Sequence, residues 1–341
     1  PLEGLKVRLA KDGIEVDYAR GYVGDVTGNY NGVTTGQNLD DKRSEAELIA
    51  EAVEKAKTAD YVIMFGGLNK SDFQDCEGHD RKQYELPYNQ DKLIEALAMA
   101  NRNFVYVNIS GNAVAMPWKA KVAGIVQGWF IGSESGEALA SILTGDANPC
   151  GKLPFTWVNS LNEVGAHALN TYPGIWRKEG GASTKGNIID EEYKEGIYVG
   201  YRWTDKESIK PTFAFGHGLS YTQFEISNLR SDKPQITPDE TITFTVNVKN
   251  TGKRAGSEVV QLYIHDVKSS VDRPKKELKG FQKVYLQPGE NRDVSITVNK
   301  EALSFYDESS ASWKAEAGKF EALVGNTSDN LKLKKVFELK K

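Results

Sequence analysis

The chain is poor in the residues that build covalent or metal-held frameworks: its 341 residues include two cysteines and four histidines. Cys76 and Cys150 lie far apart, which excludes a disulfide network and a four-thiolate zinc centre. Their reading is as small loop or core thiols. His79, His167, His217 and His265 are scattered and read as polar loop or surface residues. No apolar run approaches the roughly 18 residues of a spanning helix. The start, Pro1-Leu-Glu-Gly-Leu-Lys6, lacks the basic and apolar regions of a signal peptide. Without an initiating Met, the chain reads as the inside of a longer polypeptide or as a processed one. An excess of positive charge is also lacking. Forty-three Lys and Arg stand against 47 Asp and Glu, a net charge of −4, so there is no basic stripe for a phosphate backbone and nucleic acid is not an expected partner. Phosphate-binding loops are missing too. Gly145-Asp-Ala-Asn-Pro-Cys-Gly151-Lys152 has one residue too many between its glycines, and Leu153 stands where a Ser or Thr would hold magnesium. No G-x-G-x-x-G follows a strand.

What is present changes period along the chain. Ser44-Glu-Ala-Glu47 fits a capping box, and Ile49, Ala52, Val53 and Ala56 follow at helical spacing, which predicts a helix over 44–58. Tyr61-Val-Ile-Met-Phe65, Phe104 to Ile109 and Gly124 to Phe130 read as apolar strands, with helices near 89–101 and 134–143. Continuous apolar strands between amphipathic helices indicate a mostly parallel sheet in an α/β domain. Further on, Ile242, Phe244, Val246 and Val248 alternate with polar residues. So do Val260, Leu262 and Ile264 with Gln261, Tyr263 and His265, and Val294, Ile296 and Val298 repeat the pattern. Phe320 to Val324 reads as a closing strand. This half-buried alternation predicts an antiparallel β-sandwich. The expected division is 1–225 for the α/β domain and 226–341 for the sandwich, with 160–225 a long connection packed against both. Residues 24–38, rich in Gly and Asn, read as a surface loop.

The densest chemistry lies in Asp75-Cys-Glu-Gly-His-Asp-Arg81, an acidic, Gly-containing loop directly after an apolar strand. In open α/β sheets ligands bind beyond the carboxyl ends of the strands, where this loop is expected. Glu77 is the candidate catalytic residue, and Asp75, His79, Asp80 and Arg81 are candidate substrate-binding neighbours. Glu77 requires like-charge neighbours or burial if it is to hold a proton for a leaving group. The bland alternative is a solvated charged loop with local ion pairs.

The run Glu77-Gly-His-Asp80-Arg81, followed by Leu86-Pro87 and Gln90-Asp-Lys-Leu93, resembles the acid/base loop and next helix of family 3 glycoside hydrolases, the β-glucosidase and β-xylosidase family. Gly151-Lys-Leu-Pro-Phe-Thr156, Tyr193-Lys-Glu-Gly-Ile-Tyr-Val-Gly-Tyr-Arg202 and Phe213-Ala-Phe-Gly-His-Gly-Leu-Ser-Tyr221 follow in the family's order. Asn250-Thr-Gly252, Pro274 to Phe281 and Leu286-Gln-Pro-Gly-Glu290 are similar to the fibronectin type III-like domain that closes many such enzymes.

The resemblance implies an α/β sandwich domain plus a fibronectin type III-like β-sandwich, and retaining hydrolysis of terminal β-linked sugars with Glu77 as general acid/base. It implies no metal or organic cofactor. The family's nucleophile is an Asp on a preceding (β/α)8-type barrel, and this chain has no matching motif. Ser71-Asp72-Phe73 is the nearest string and lies in the wrong loop. The expected partners are therefore a β-linked oligosaccharide and a barrel domain from the same protein or a second chain, without which the chain should be inactive. Glucoside and xyloside both stay open, as does a non-catalytic carbohydrate-binding or scaffold module using Trp129, Trp157, Trp176 and Trp203 as a platform. The expected compartment is periplasmic or extracellular.

Overall fold

A computed structural model describes residues 1–25, 40–77, 79–175 and 189–341, with the backbone alone of 29–30, 33–34 and 176. Most of the stretch 24–38 lies outside these, apart from a short antiparallel pair, Asn29–Tyr30 with Val33–Thr34. The chain divides into two compact units, Pro1–Ala147 and Asn148–Lys341.

In the first unit the capping box forms as its residues dictate. Ser44 accepts the Glu47 N–H and Glu47 accepts the Ser44 N–H, opening the helix Glu45–Thr58. The helices Gln90–Ala100 and Ser135–Thr144 also match the periodic pattern, with Leu93, Ile94 and Leu97 buried on one face of the former. The strands Val62–Gly67, Phe104–Ile109 and Gly124–Gln127 pair in parallel, with Phe104–Ile109 in the centre. Phe104, Tyr106 and Val107 are fully buried there, each contributing roughly 2 kcal/mol of apolar burial. The third strand is shorter than its apolar run because Trp129 takes a positive φ of 54° and turns the chain away. A helix not anticipated, Leu2–Ala10, opens the unit. It lies close against Ser135–Thr144, where a Cβ on Gly4 would fall 2.3 Å from the Gly136 carbonyl oxygen.

In the second unit a three-stranded sheet, with Ile242–Asn250 between Asn291–Val298 and Phe224–Ser231, faces a five-stranded sheet. The latter runs Glu277–Leu286, Gly256–Asp266, Gly318–Gly325, Leu333–Leu339 and Gln235–Ile236. Pairing is antiparallel except between Leu333–Leu339 and Gln235–Ile236, so Gly318–Gly325 is not the closing strand. The alternating residues Ile242, Phe244, Val246, Val260, Leu262, Ile264, Val294 and Val298 form the shared core.

Two details depart from half-buried alternation. Gln261 and Tyr263 are buried too, because the connecting segment covers their face: Tyr201 meets Tyr263 edge-on at 5.6 Å. The same segment is anchored by Lys152, whose Nζ pairs with Glu258 at 2.7 Å and donates to the Gly218 carbonyl at 2.7 Å. The lysine that mimics a phosphate-loop residue is therefore a structural counter-ion. Trp157 and Trp203 are buried and cannot act as a sugar platform.

Candidate functional site

The loop bearing Glu77 starts at Gly67, where the first strand ends. Gly67 has a φ of +128°, and a Cβ there would sit 2.1 Å from the Ile109 carbonyl oxygen. The fully buried Gln90 clamps this point: its side-chain oxygen accepts the Gly67 N–H at 2.7 Å and its amide donates to the Gly67 carbonyl at 2.8 Å. The chain thus leaves the carboxyl end of the parallel sheet from a fixed position, at the end of the strands where open α/β sheets bind their ligands.

Beside it, the loop after the central strand is held by a buried polar network. Asn108 donates to Ser110 and Gln127, each at 2.7 Å, and Ser110 donates to the Asn112 carbonyl at 2.7 Å. Buried amides of this kind are tolerated only when their hydrogen bonds are made, and then they rigidify what they touch. The rigid segment Gly111-Asn112 in turn holds the acidic loop. Asp75 accepts the Gly111 N–H at 2.6 Å and the Asn112 side-chain amide at 2.6 Å. Arg81 donates to the Asn112 side-chain oxygen at 2.6 Å, to the Tyr84 carbonyl at 3.0 Å and to the Ala113 carbonyl. Burial pulls the Arg81 pKa below its ordinary value, and the Asp75 charge opposes that shift.

Asp75 and Arg81 therefore tie the loop to its neighbour, and the stretch between them carries Glu77 at the surface. Glu77 is exposed, and no hydrogen bond or ion pair to it is present among the described residues. It is not buried in the sheet and helix core, and among the described residues no closed ion pair holds it. His79 and Asp80 are exposed as well, and Gly78 lies outside the described residues. Phe73, with a φ of 62°, stacks obliquely on His79 at 4.8 Å, and the Lys82 ammonium lies 3.5 Å from the Phe73 ring centre. Ser71 donates to Asp25.

The histidines look scattered in sequence, but in space His79 lies with Cys76 and Asp72. Their candidate ligand atoms are all within 4.8 Å of one another. Cys76 and Cys150 are both free thiols. Gly111 and Asn112 escape a reading centred on one loop. The polar run Asn108-Ile-Ser-Gly-Asn112 at the end of an apolar strand is the clue that locates them, by the same strand-end rule that locates Glu77.

The family model described as the glycosyl hydrolase family 3 C-terminal domain matches residues 1–201, and that of the fibronectin type III-like domain matches 258–328. Beta-glucosidase BoGH3A of Bacteroides ovatus is 46% identical over 338 residues, which are 99% of this chain and 43% of that protein. Thermostable beta-glucosidase B of Acetivibrio thermocellus is 42% identical over 299 residues, covering 88% of this chain and 38% of that protein. Among solved structures, the GH3 beta-glucosidase of Bifidobacterium adolescentis superposes with a TM-score of 0.82 at 32% identity, over 97% of this chain and 44% of that one. The chain thus spans less than half the length of these relatives.

Proposed function

Because the chain belongs to glycosyl hydrolase family 3, we propose that it is the C-terminal portion of a retaining, exo-acting β-glucosidase-like hydrolase, removing terminal β-linked sugars from oligosaccharides. In this reading Glu77 is the general acid/base. The nucleophilic Asp and most of the sugar pocket lie on a (β/α)8-type barrel outside these 341 residues. The relatives named as beta-glucosidases favour glucosides over xylosides.

The observation that carries the proposal is the exposed Glu77 on a loop whose two flanks, Asp75 and Arg81, are tied to one asparagine. A retaining hydrolase places its two carboxyl groups about 5–5.5 Å apart across the scissile bond. One carboxylate attacks the anomeric carbon. The other protonates the departing oxygen and then deprotonates the water that releases the sugar. Glu77 has the freedom to meet a substrate brought by another domain, and its anchors limit where it can go. The limits 1–225 and 226–341 and a periplasmic or extracellular setting are proposed on the same footing. Among the described residues no helix is long and apolar enough to cross a membrane.

Glu77→Gln in the complete enzyme tests the role. Hydrolysis of substrates with alkoxide leaving groups should fall by about 10²–10⁴, while glycosides of acidic phenols, which need little protonation, should lose far less in the first step. Equal losses on both would remove Glu77 from the acid role. The 341-residue chain alone should show no turnover.

A further inference from the structure

We propose that Asp72, Cys76 and His79 form a binding site for one thiophilic divalent cation of the zinc class, straddling the position of Glu77. Their ligand atoms, a carboxylate oxygen, Sγ and a ring nitrogen, lie within 4.8 Å of one another. Tetrahedral coordination with bonds of about 2.0–2.3 Å separates ligand atoms by roughly 3.3–3.8 Å. The Asp72 Oδ1 to His79 Nδ1 distance is 3.6 Å, already at that edge length. The sulfur must close by up to about 1.3 Å to satisfy the same geometry. The turn already brings it near, since Cys76 Sγ is 3.5 Å from the His79 carbonyl oxygen.

The donor set selects the ion class. Thiolate and imidazole favour zinc-like metals, whereas calcium and magnesium demand oxygen ligands. Three protein ligands leave a fourth position for water. The imidazole is supported from one side by Phe73, which is itself covered by Lys82. Binding replaces the S–H bond with a sulfur–metal bond and releases the proton to solvent. Because Cys76 and His79 bracket Glu77, an ion joining them ties down the chain on both sides of that residue. Binding itself does not depend on the acid/base reading.

Co2+ added to the reduced, metal-free 341-residue chain is the test. The expected result is one ion per chain, a thiolate-to-cobalt charge-transfer band and displacement by Zn2+. Cys76→Ser should abolish the band and His79→Ala should weaken Zn2+ binding at least 10-fold, while Cys150→Ser and Glu77→Gln should retain both properties. A band that is missing, survives Cys76→Ser or vanishes with Cys150→Ser overturns the site. A second measurement avoids altering the cluster: in the Cys150→Ser chain, Zn2+ should slow iodoacetamide alkylation of Cys76 at least 10-fold. An unchanged rate also overturns the proposal. Loss of the acid role for Glu77 with cation binding intact would separate the two readings.

Discussion

The Asn112 side-chain amide donates to Asp75 at 2.6 Å, joining the loops that leave two adjacent strands of the parallel sheet. The same Asn112 accepts from Arg81 at 2.6 Å, so one side chain holds both flanks of the segment that carries Glu77. Its own backbone is braced from below by Ser110 and, through it, by the buried Asn108.

Asn112→Ala should therefore separate stability from catalysis. Asp75 keeps the Gly111 N–H and Arg81 keeps two carbonyls, so the loss of stability should be about 1–2 kcal/mol. In the complete enzyme kcat should fall about 10-fold or more, since a small misplacement of a catalytic group is costly. Urea unfolding alongside steady-state kinetics on poor and activated leaving groups measures both. An unchanged kcat would mean that the link does not position Glu77.

Gly67→Ala should damage the first unit severely. The new methyl meets the Ile109 carbonyl oxygen at 2.1 Å, and a φ of +128° is unfavourable for any side chain. A loss of more than about 3 kcal/mol is expected, read as a lower urea midpoint or an insoluble product. A midpoint within error of the parent would show that the strand end relaxes freely.

In the second unit, Lys152→Met should cost about 3–5 kcal/mol, because it leaves the buried Glu258 without its cation. Among the described residues Glu258 keeps the Val259 N–H and the Asn326 amide. Adding Glu258→Met should recover much of that loss, which a double-mutant cycle of denaturation midpoints detects. Additive losses in the double variant would contradict a coupled pair.

Acid should weaken the second unit through Glu277. Burial acts to raise its pKa, but Lys279, Arg273 and Arg202 outweigh burial and hold it below the ordinary 4.5. Since the folded-state value is the lower one, the stabilisation is complete above the unfolded value and is lost as pH falls through the folded value. Between about pH 5 and pH 3, Glu277→Gln should lose less stability than the parent chain. Parallel pH curves for the two would remove Glu277 as a source of acid sensitivity.

Much of the fold is legible in local pattern. Ser44 and Glu47 are three residues apart and satisfy each other whatever surrounds them, so the helix start needs no tertiary information. Phe104 to Ile109 reads as a buried strand because an apolar run of that length has few other solutions. The helix Leu2–Ala10 is harder to foresee, since Gly4 is a poor helix former by itself and becomes favourable only through its close approach to Gly136. Alternation likewise misleads at Gln261 and Tyr263, where a separate stretch of chain covers the face that the period assigns to solvent. At the site, Glu77 is legible from its place after an apolar strand and from its family-like neighbours. Its supports are not.

Apart from the opening helix Leu2–Ala10 and the last strand Leu333–Leu339, the sequence by itself determined the main elements, with a parallel sheet followed by an antiparallel sandwich, and the loop that bears Glu77. These follow from spacing within some ten residues, which sets side-chain direction along a helix or strand. The tertiary structure alone decided that Asn112 holds Asp75 and Arg81, that Lys152 neutralises Glu258, and that Asp72, Cys76 and His79 lie within 4.8 Å of one another. The first two pairings join residues distant in sequence, and the third depends on the path of one turn. None of these is encoded in a period, because each exists only once the backbone has brought the groups together; for the buried Glu258 and Asp75, folding has also removed the water that would otherwise satisfy them.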